Sequence, residues 1–162
     1  MKAIVIILAA IAIVTACAAI VLIGHDGDND NGKDGGDNDG GQPEKVDGVM
    51  KLTIDGVNVP VTWNDNASVD AIRTMAKDSL TVNTHRYGGF EQVGSLGKSV
   101  TRNDSSMTSS PGDIVLYSGN QIVLFFGENS YSYTQLGKID LSDSEITALL
   151  NKESAVVTLY LE

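Results

Sequence analysis

Apolar and polar residues alternate along Met50–Ile54, which predicts a β-strand with one face buried. Asp55-Gly56 follows as a hairpin turn signal, and Val57 to Trp63 reads as the return strand. Pro60 lacks a backbone donor, so that return is an edge or bulged strand. Asn64 to Ser68 supplies an N-cap for a helix over Val69 to Lys77, in which Val69, Ile72 and Met75 or Ala76 share a face. Leu80 to Thr84 is a strand. From His85 to Ser110 the chain is polar and rich in glycine, and reads as loop or irregular strand.

Pro111-Gly112-Asp113 marks a turn, and Ile114 to Tyr117 is a short β-forming run. Ser118-Gly119-Asn120 turns the chain into a second apolar run, Gln121 to Phe126. Neither run alternates. Continuous apolar strands imply burial on both faces, as in a barrel wall whose outside is covered. Ser142 and Glu145 are spaced as a capping box for a short helix through Leu150, and Ala155 to Leu161 closes the pattern as a strand. Many short strands and two helices fit a mainly β domain, a small closed antiparallel β-barrel with helical plugs, over residues 48–162.

The N-terminus follows a different pattern. Lys2 precedes an apolar run from Ala3 to Ile23, interrupted only by Thr15 and Cys17. Two readings stay open. Ala3 to Ile13 has the length of a secretory h-region, and Val14-Thr15-Ala16-Cys17 then resembles a bacterial lipobox in which Cys17 is lipidated. Alternatively, Ala3 to Ile23 is an uncut helix about 30 Å long, enough to span a bilayer core. Both leave Lys2 inside and the following acidic flank outside. Residues 1–24 are therefore a signal or membrane anchor, and the rest of the chain is expected outside the cytoplasm, in the cell envelope.

Residues 25–47 hold eight acidic residues, two lysines, no aromatic residue and one aliphatic residue, Val46. Such a segment buries too little surface to offset its ordering entropy, so it reads as a disordered linker spanning about 25–30 Å. Asp26, Asp28 and Asp30 have the opening spacing of a calcium loop, but Asn31 stands where glycine is required and Asp37 where glutamate is. A formal net charge of -10 argues against nucleic acid as a partner. Cys17 is the single cysteine, which excludes an intrachain disulfide, and His85 has no metal-ligating company in sequence; no metal or cofactor is expected.

The block "SSPGDIVLYSGNQIVLFFGENSYSYTQLGKI", Ser109 to Ile139, resembles the corresponding block of bacterial cyclophilin-like fold proteins: a Gly-Asp entry, a hairpin, then a Leu-Gly-Lys-Ile run. The resemblance extends more loosely from Met50 to Leu161. It implies an eight-stranded antiparallel barrel capped by two helices.

True cyclophilins are peptidyl-prolyl isomerases that work with an arginine, a phenylalanine and a glutamine. "HRYGGFEQ" is similar and offers His85, Arg86, Phe90 and Gln92. An arginine reaching the proline nitrogen beside an apolar pocket would weaken the amide resonance that sets a barrier of about 20 kcal/mol. Both gaps are one residue shorter than in true cyclophilins. On an extended strand that swings Phe90 to the other face and returns Gln92 closer to Arg86, unless Gly88-Gly89 absorbs the change in a bulge. The remaining aromatics of the usual pocket are not evident, and Trp63 lies too early in the chain to serve.

These observations predict a membrane-tethered, extracytoplasmic domain that binds a peptide or small ligand without catalysis. Arg86, Tyr87, Phe90 and Gln92 are the candidate ligand-binding residues. A weak peptidyl-prolyl isomerase acting on envelope proteins is the alternative. The domain is expected to be monomeric.

Overall fold

The computed structural model describes residues 46–162. The anchor, the lipidation of Cys17 and all but the end of the linker fall outside these residues. Strands β1 (Met50–Ile54) and β2 (Val57–Val59) form the first hairpin. Its turn residues, Asp55 and Gly56, both have positive φ, as the twist of a tight hairpin demands. Pro60 then separates β2 from β3 (Val61–Trp63). Helix α1 (Ala67–Met75) starts at Asn66, whose side chain accepts from the Val69 amide at 3.0 Å. A short 3-10 turn over Ala76–Asp78 leads into β4 (Leu80–Tyr87).

The rest of the wall consists of β5 (Glu91–Ser95), β7 (Asp113–Tyr117), β8 (Gln121–Phe125), β9 (Ser130–Ile139) and β10 (Ser154–Leu161), with β6 (Ser105–Thr108) laid on β9. Helix α2 (Asp143–Leu150) precedes β10 and carries the expected capping box between Ser142 and Glu145. The antiparallel path runs β2-β1-β10-β4-β5-β8-β7-β9-β3. Its two ends, β2 and β3, are neighbours in sequence with only Pro60 between them. One bent segment thus serves both ends of the path, and the barrel is nearly closed. Counting β2 and β3 as that one segment leaves eight wall strands.

The interior is one apolar cluster. Leu52, Ile54, Ile114, Leu116, Ile122, Leu124, Val157 and Leu159 point in from the strands, and Val69, Ile72, Ile146 and Leu150 enter from the helices. A second cluster lies on the other side of the wall: Val93, Val115, Val123, Phe125 and Tyr133, with Phe90, Met107 and Tyr117 packed against it. These residues alternate with the interior set along β7 and β8, which is why neither run alternates in sequence. The stretch 85–110, read as loop or irregular strand, is more ordered than that. It supplies the end of β4, all of β5 and β6, and the turn Gly88-Gly89.

Candidate functional site

The outer cluster leaves an open groove of about 460 Å³ at its surface. Its sides come from His85 and Tyr87 on β4, Glu91 and Val93 on β5, Gln121 and Val123 on β8, Tyr117 on β7, and Asn129, Tyr131 and Tyr133 at and within β9. The strand register explains the assembly. Tyr87 lies opposite Glu91, His85 opposite Val93, and Val93 opposite Val123, so these side chains share the outward face.

Three tyrosines make the aromatic side of the groove. The rings of Tyr117, Tyr131 and Tyr133 meet pairwise at 5.8 to 6.0 Å between centroids and at interplanar angles of 58 to 67°. Tyr133 packs edge-on to Phe125 at 5.6 Å, and Phe125 stacks with Phe90 at 6.5 Å. Asn129 Nδ2 donates to the Tyr133 hydroxyl at 2.8 Å. Tyr87 and Tyr131 stand at the lip, 63% and 57% exposed. Large aromatic rings left in water on a rigid wall mark surface available to a ligand.

Glu91 is the polar residue at the base. It is only 6% exposed, and its Oε2 is buried without a hydrogen-bond partner. Burial pushes its carboxyl up to about 7. Burial, and after it the charge of Glu91, also raises the Tyr133 phenol above its usual value, against the hydrogen bond from Asn129. A carboxyl in this state can exchange a proton near neutrality, or hold a cation once ionised. Among the described residues no group of three or more His, Cys, Asp and Glu side chains is arranged to hold a metal.

The four residues singled out in "RYGGFEQ" go to three places. Tyr87 lines the groove. Phe90 packs beneath the outer surface on Phe125 and closes tightly over Gly88 and Gly127, where an added Cβ would lie 2.3 and 2.8 Å from its atoms. Arg86 and Gln92 are cross-strand partners on the inward side of β4 and β5. Gln92 is fully buried: its Nε2 donates to the carbonyls of Leu150 and Lys152 at 2.9 and 2.6 Å, and its Oε1 accepts from Thr84 Oγ1 at 3.0 Å. The Arg86 guanidinium donates to Asn151 Oδ1 and pairs with Glu153 at 2.8 Å. Gln92 is thus a structural bolt between the wall and the end of α2. The arginine, phenylalanine and glutamine do not converge on one surface.

Glu91, Tyr117, Asn129, Tyr131 and Tyr133 are not among the candidates that the sequence points to. The one signal for Glu91 was its place two residues before Val93, on a face that the adjacent apolar runs require to be covered. The Asp113 carboxylate of the Gly-Asp entry is structural as well. It accepts from the Ser110 amide at 2.8 Å and from Lys138 at 3.0 Å, pinning the turn into β7 to β9.

No curated protein matches the chain. A model of the cyclophilin-like family matches residues 52–161, which runs from within β1 to the end of β10 and takes in both helices and both faces of the groove. With a nearly closed antiparallel barrel and that match over most of its length, the chain belongs to the cyclophilin-like family.

Proposed function

We propose that this cyclophilin-like domain is a non-catalytic binding module, held outside the cytoplasm by its N-terminus, that takes a peptide or small ligand in the groove on the outer wall. One observation carries the reading: Glu91 is buried without a partner at the base of a groove whose lip exposes Tyr87 and Tyr131. An unpaired buried carboxyl is a standing cost to the fold. A bound group that satisfies it accounts for its presence. The tether rests on Lys2, the apolar run Ala3 to Ile23 and the acidic segment that follows.

The isomerase alternative needs an arginine and a glutamine beside an apolar pocket. Here Gln92 spends its amide on Thr84, Leu150 and Lys152, and Arg86 is held by Asn151 and Glu153, away from the groove. That arrangement weighs against isomerisation. A proline-peptide isomerisation assay tests the reading. No rate above background is expected; a rate that Arg86→Ala removes would overturn it.

A further inference from the structure

Three features of the groove point to one ligand chemistry. First, Glu91 lines the groove as a residue only 6% exposed, and its buried Oε2 accepts no hydrogen bond from the protein. Second, none of the lining residues is a lysine or arginine; His85 is the one basic side chain among them. The carboxylate therefore has no internal counter-ion. Third, four tyrosines, Tyr87, Tyr117, Tyr131 and Tyr133, line the same space. Aromatic faces attract cations through their quadrupole, and more strongly where water is excluded. Once Glu91 is ionised, an anion would meet its charge, and a neutral ligand would leave that charge uncompensated.

We infer that the groove binds an organic cation of the alkylammonium class, with Glu91 as its counter-ion and the exposed rings of Tyr87 and Tyr131 closing over its stem. The inference rests on the reading of the groove as a binding site and names the chemistry of its occupant. Glu91 receives the charge at the base, Val93 and Val123 give the apolar floor, and Tyr117 and Tyr133 form the inner wall. Asn129 fixes Tyr133 by donating to its oxygen, which leaves the phenolic proton free to turn toward a bound group. A free alkylamine and a lysine side chain share this chemistry.

Proton linkage gives the inference a signature. The titratable groups facing Glu91 across the groove are His85 and Tyr87 of β4, Tyr117 of β7, and Tyr131 and Tyr133 of β9; β8 contributes only Gln121 and Val123. An alkylammonium stays protonated throughout the neutral range. A carboxyl that titrates at about 7 loses its charge on acidification. Its ionised fraction falls about tenfold between pH 8 and pH 6, and affinity for a cation should fall by the same factor. A proton gained by His85 would act in the same direction, so His85→Asn separates the two.

The test uses the full-length chain in a non-ionic detergent, titrated with n-butylammonium, 1-butanol and butyrate while the tyrosine ring resonances are followed by NMR. Butylammonium should shift the groove tyrosines at pH 8, about tenfold more weakly at pH 6, and His85→Asn should keep that dependence. Glu91→Gln should weaken binding by at least about tenfold, the factor that 1.4 kcal/mol makes. Tyr131→Ala, an exposed position that does not endanger folding, should also weaken it, and Arg86→Ala should not. N-acetyl-lysine amide binding more tightly than butylammonium identifies a peptide lysine as the occupant, and weaker binding a free amine. If butanol or butyrate shifts these rings and butylammonium does not, the cation inference fails while the groove remains a binding site. If no probe shifts them, both readings fail.

Discussion

Tyr87 and Glu91 face each other across the β4–β5 ladder, one at the exposed lip and the other at the buried base of the same groove. One residue away along each strand, Arg86 and Gln92 face each other on the opposite side of the wall. The pleat of two strands thus divides a single octapeptide into a pair on the groove side and a pair on the other side of the wall.

Glu91→Gln should stabilise the domain above neutral pH. The folded carboxyl titrates at about 7 against an ordinary 4.5. A raised folded value means that the folded state holds the proton more tightly than the unfolded one. The favourable contribution of neutral Glu91 is complete below about pH 4.5 and disappears as the pH rises through 7. Removing the charge should recover about 1–3 kcal/mol at pH 8, less than the full linkage because the buried amide also lacks partners. Thermal melts of the two proteins at pH 8 and pH 4.5 check this. The gap should be several degrees at pH 8 and should close or reverse at pH 4.5. An equal gap at both values would mean that the charge is not the cause.

Gly94→Ala should destabilise the barrel at the strand that carries Glu91. An added Cβ would lie 2.4 Å from Val82 Cγ1 and 2.9 Å from the Asn83 carbonyl, on the inward side where β4 and β5 pack closely. Backbone on one side and a β-branched side chain on the other give little room to relax. Overpacking of this kind costs about 1–3 kcal/mol. Denaturant unfolding should show a lower midpoint with an unchanged slope. A midpoint equal to that of the parent would show that β4 and β5 can separate freely.

Much of this architecture is legible in the sequence. The hairpin signal at Asp55-Gly56, the capping signal within Asn64 to Ser68 (met by Asn66), the Ser142–Glu145 capping box and the unbroken apolar runs of β7 and β8 each report local chemistry that the fold keeps. β9 was not legible. Its pairing with β7 shifts register between Ile114 and Val115, so Leu136 and Ile139, three apart, both reach the interior and no single period describes the strand. The site was only partly legible. Tyr87 could be suspected from its glycine-rich setting, but Gln92 and Arg86 could not be assigned a face until the register of β4 on β5 was fixed. Glu91 gave little sign, because burial of one carboxylate among 21 acidic residues depends on which strand lies opposite.

Cys17→Ser should separate the two anchoring modes. In the lipobox reading the cysteine thiol receives the lipid, so radiolabelled fatty acid should mark the parent chain and not the variant. In the helical reading neither is labelled, and both stay in the membrane fraction through Ala3 to Ile23. Protease added to intact cells should remove the C-terminal domain in either case. Protection of that domain from the protease would place it inside and overturn the envelope location.

Arg86→Ala and Gln92→Ala should have effects of very different size, although the two side chains are cross-strand partners. Arg86 makes an exposed ion pair with Glu153, and such pairs contribute at most about 1 kcal/mol. Its loss should move the melting temperature little and leave groove binding intact. Gln92 makes three hydrogen bonds inside the wall, two of them to carbonyls at the end of α2 and beyond it. Truncation leaves Thr84, Leu150 and Lys152 with lost partners in a dry interior and opens a cavity besides. The expected cost is about 2–4 kcal/mol. Because Gln92 fastens α2 rather than a ligand, the variant should keep its affinity for any groove ligand as long as it remains folded. Paired melts and NMR titrations of the two variants check this. A stable Gln92→Ala protein with weakened binding would return Gln92 to the site.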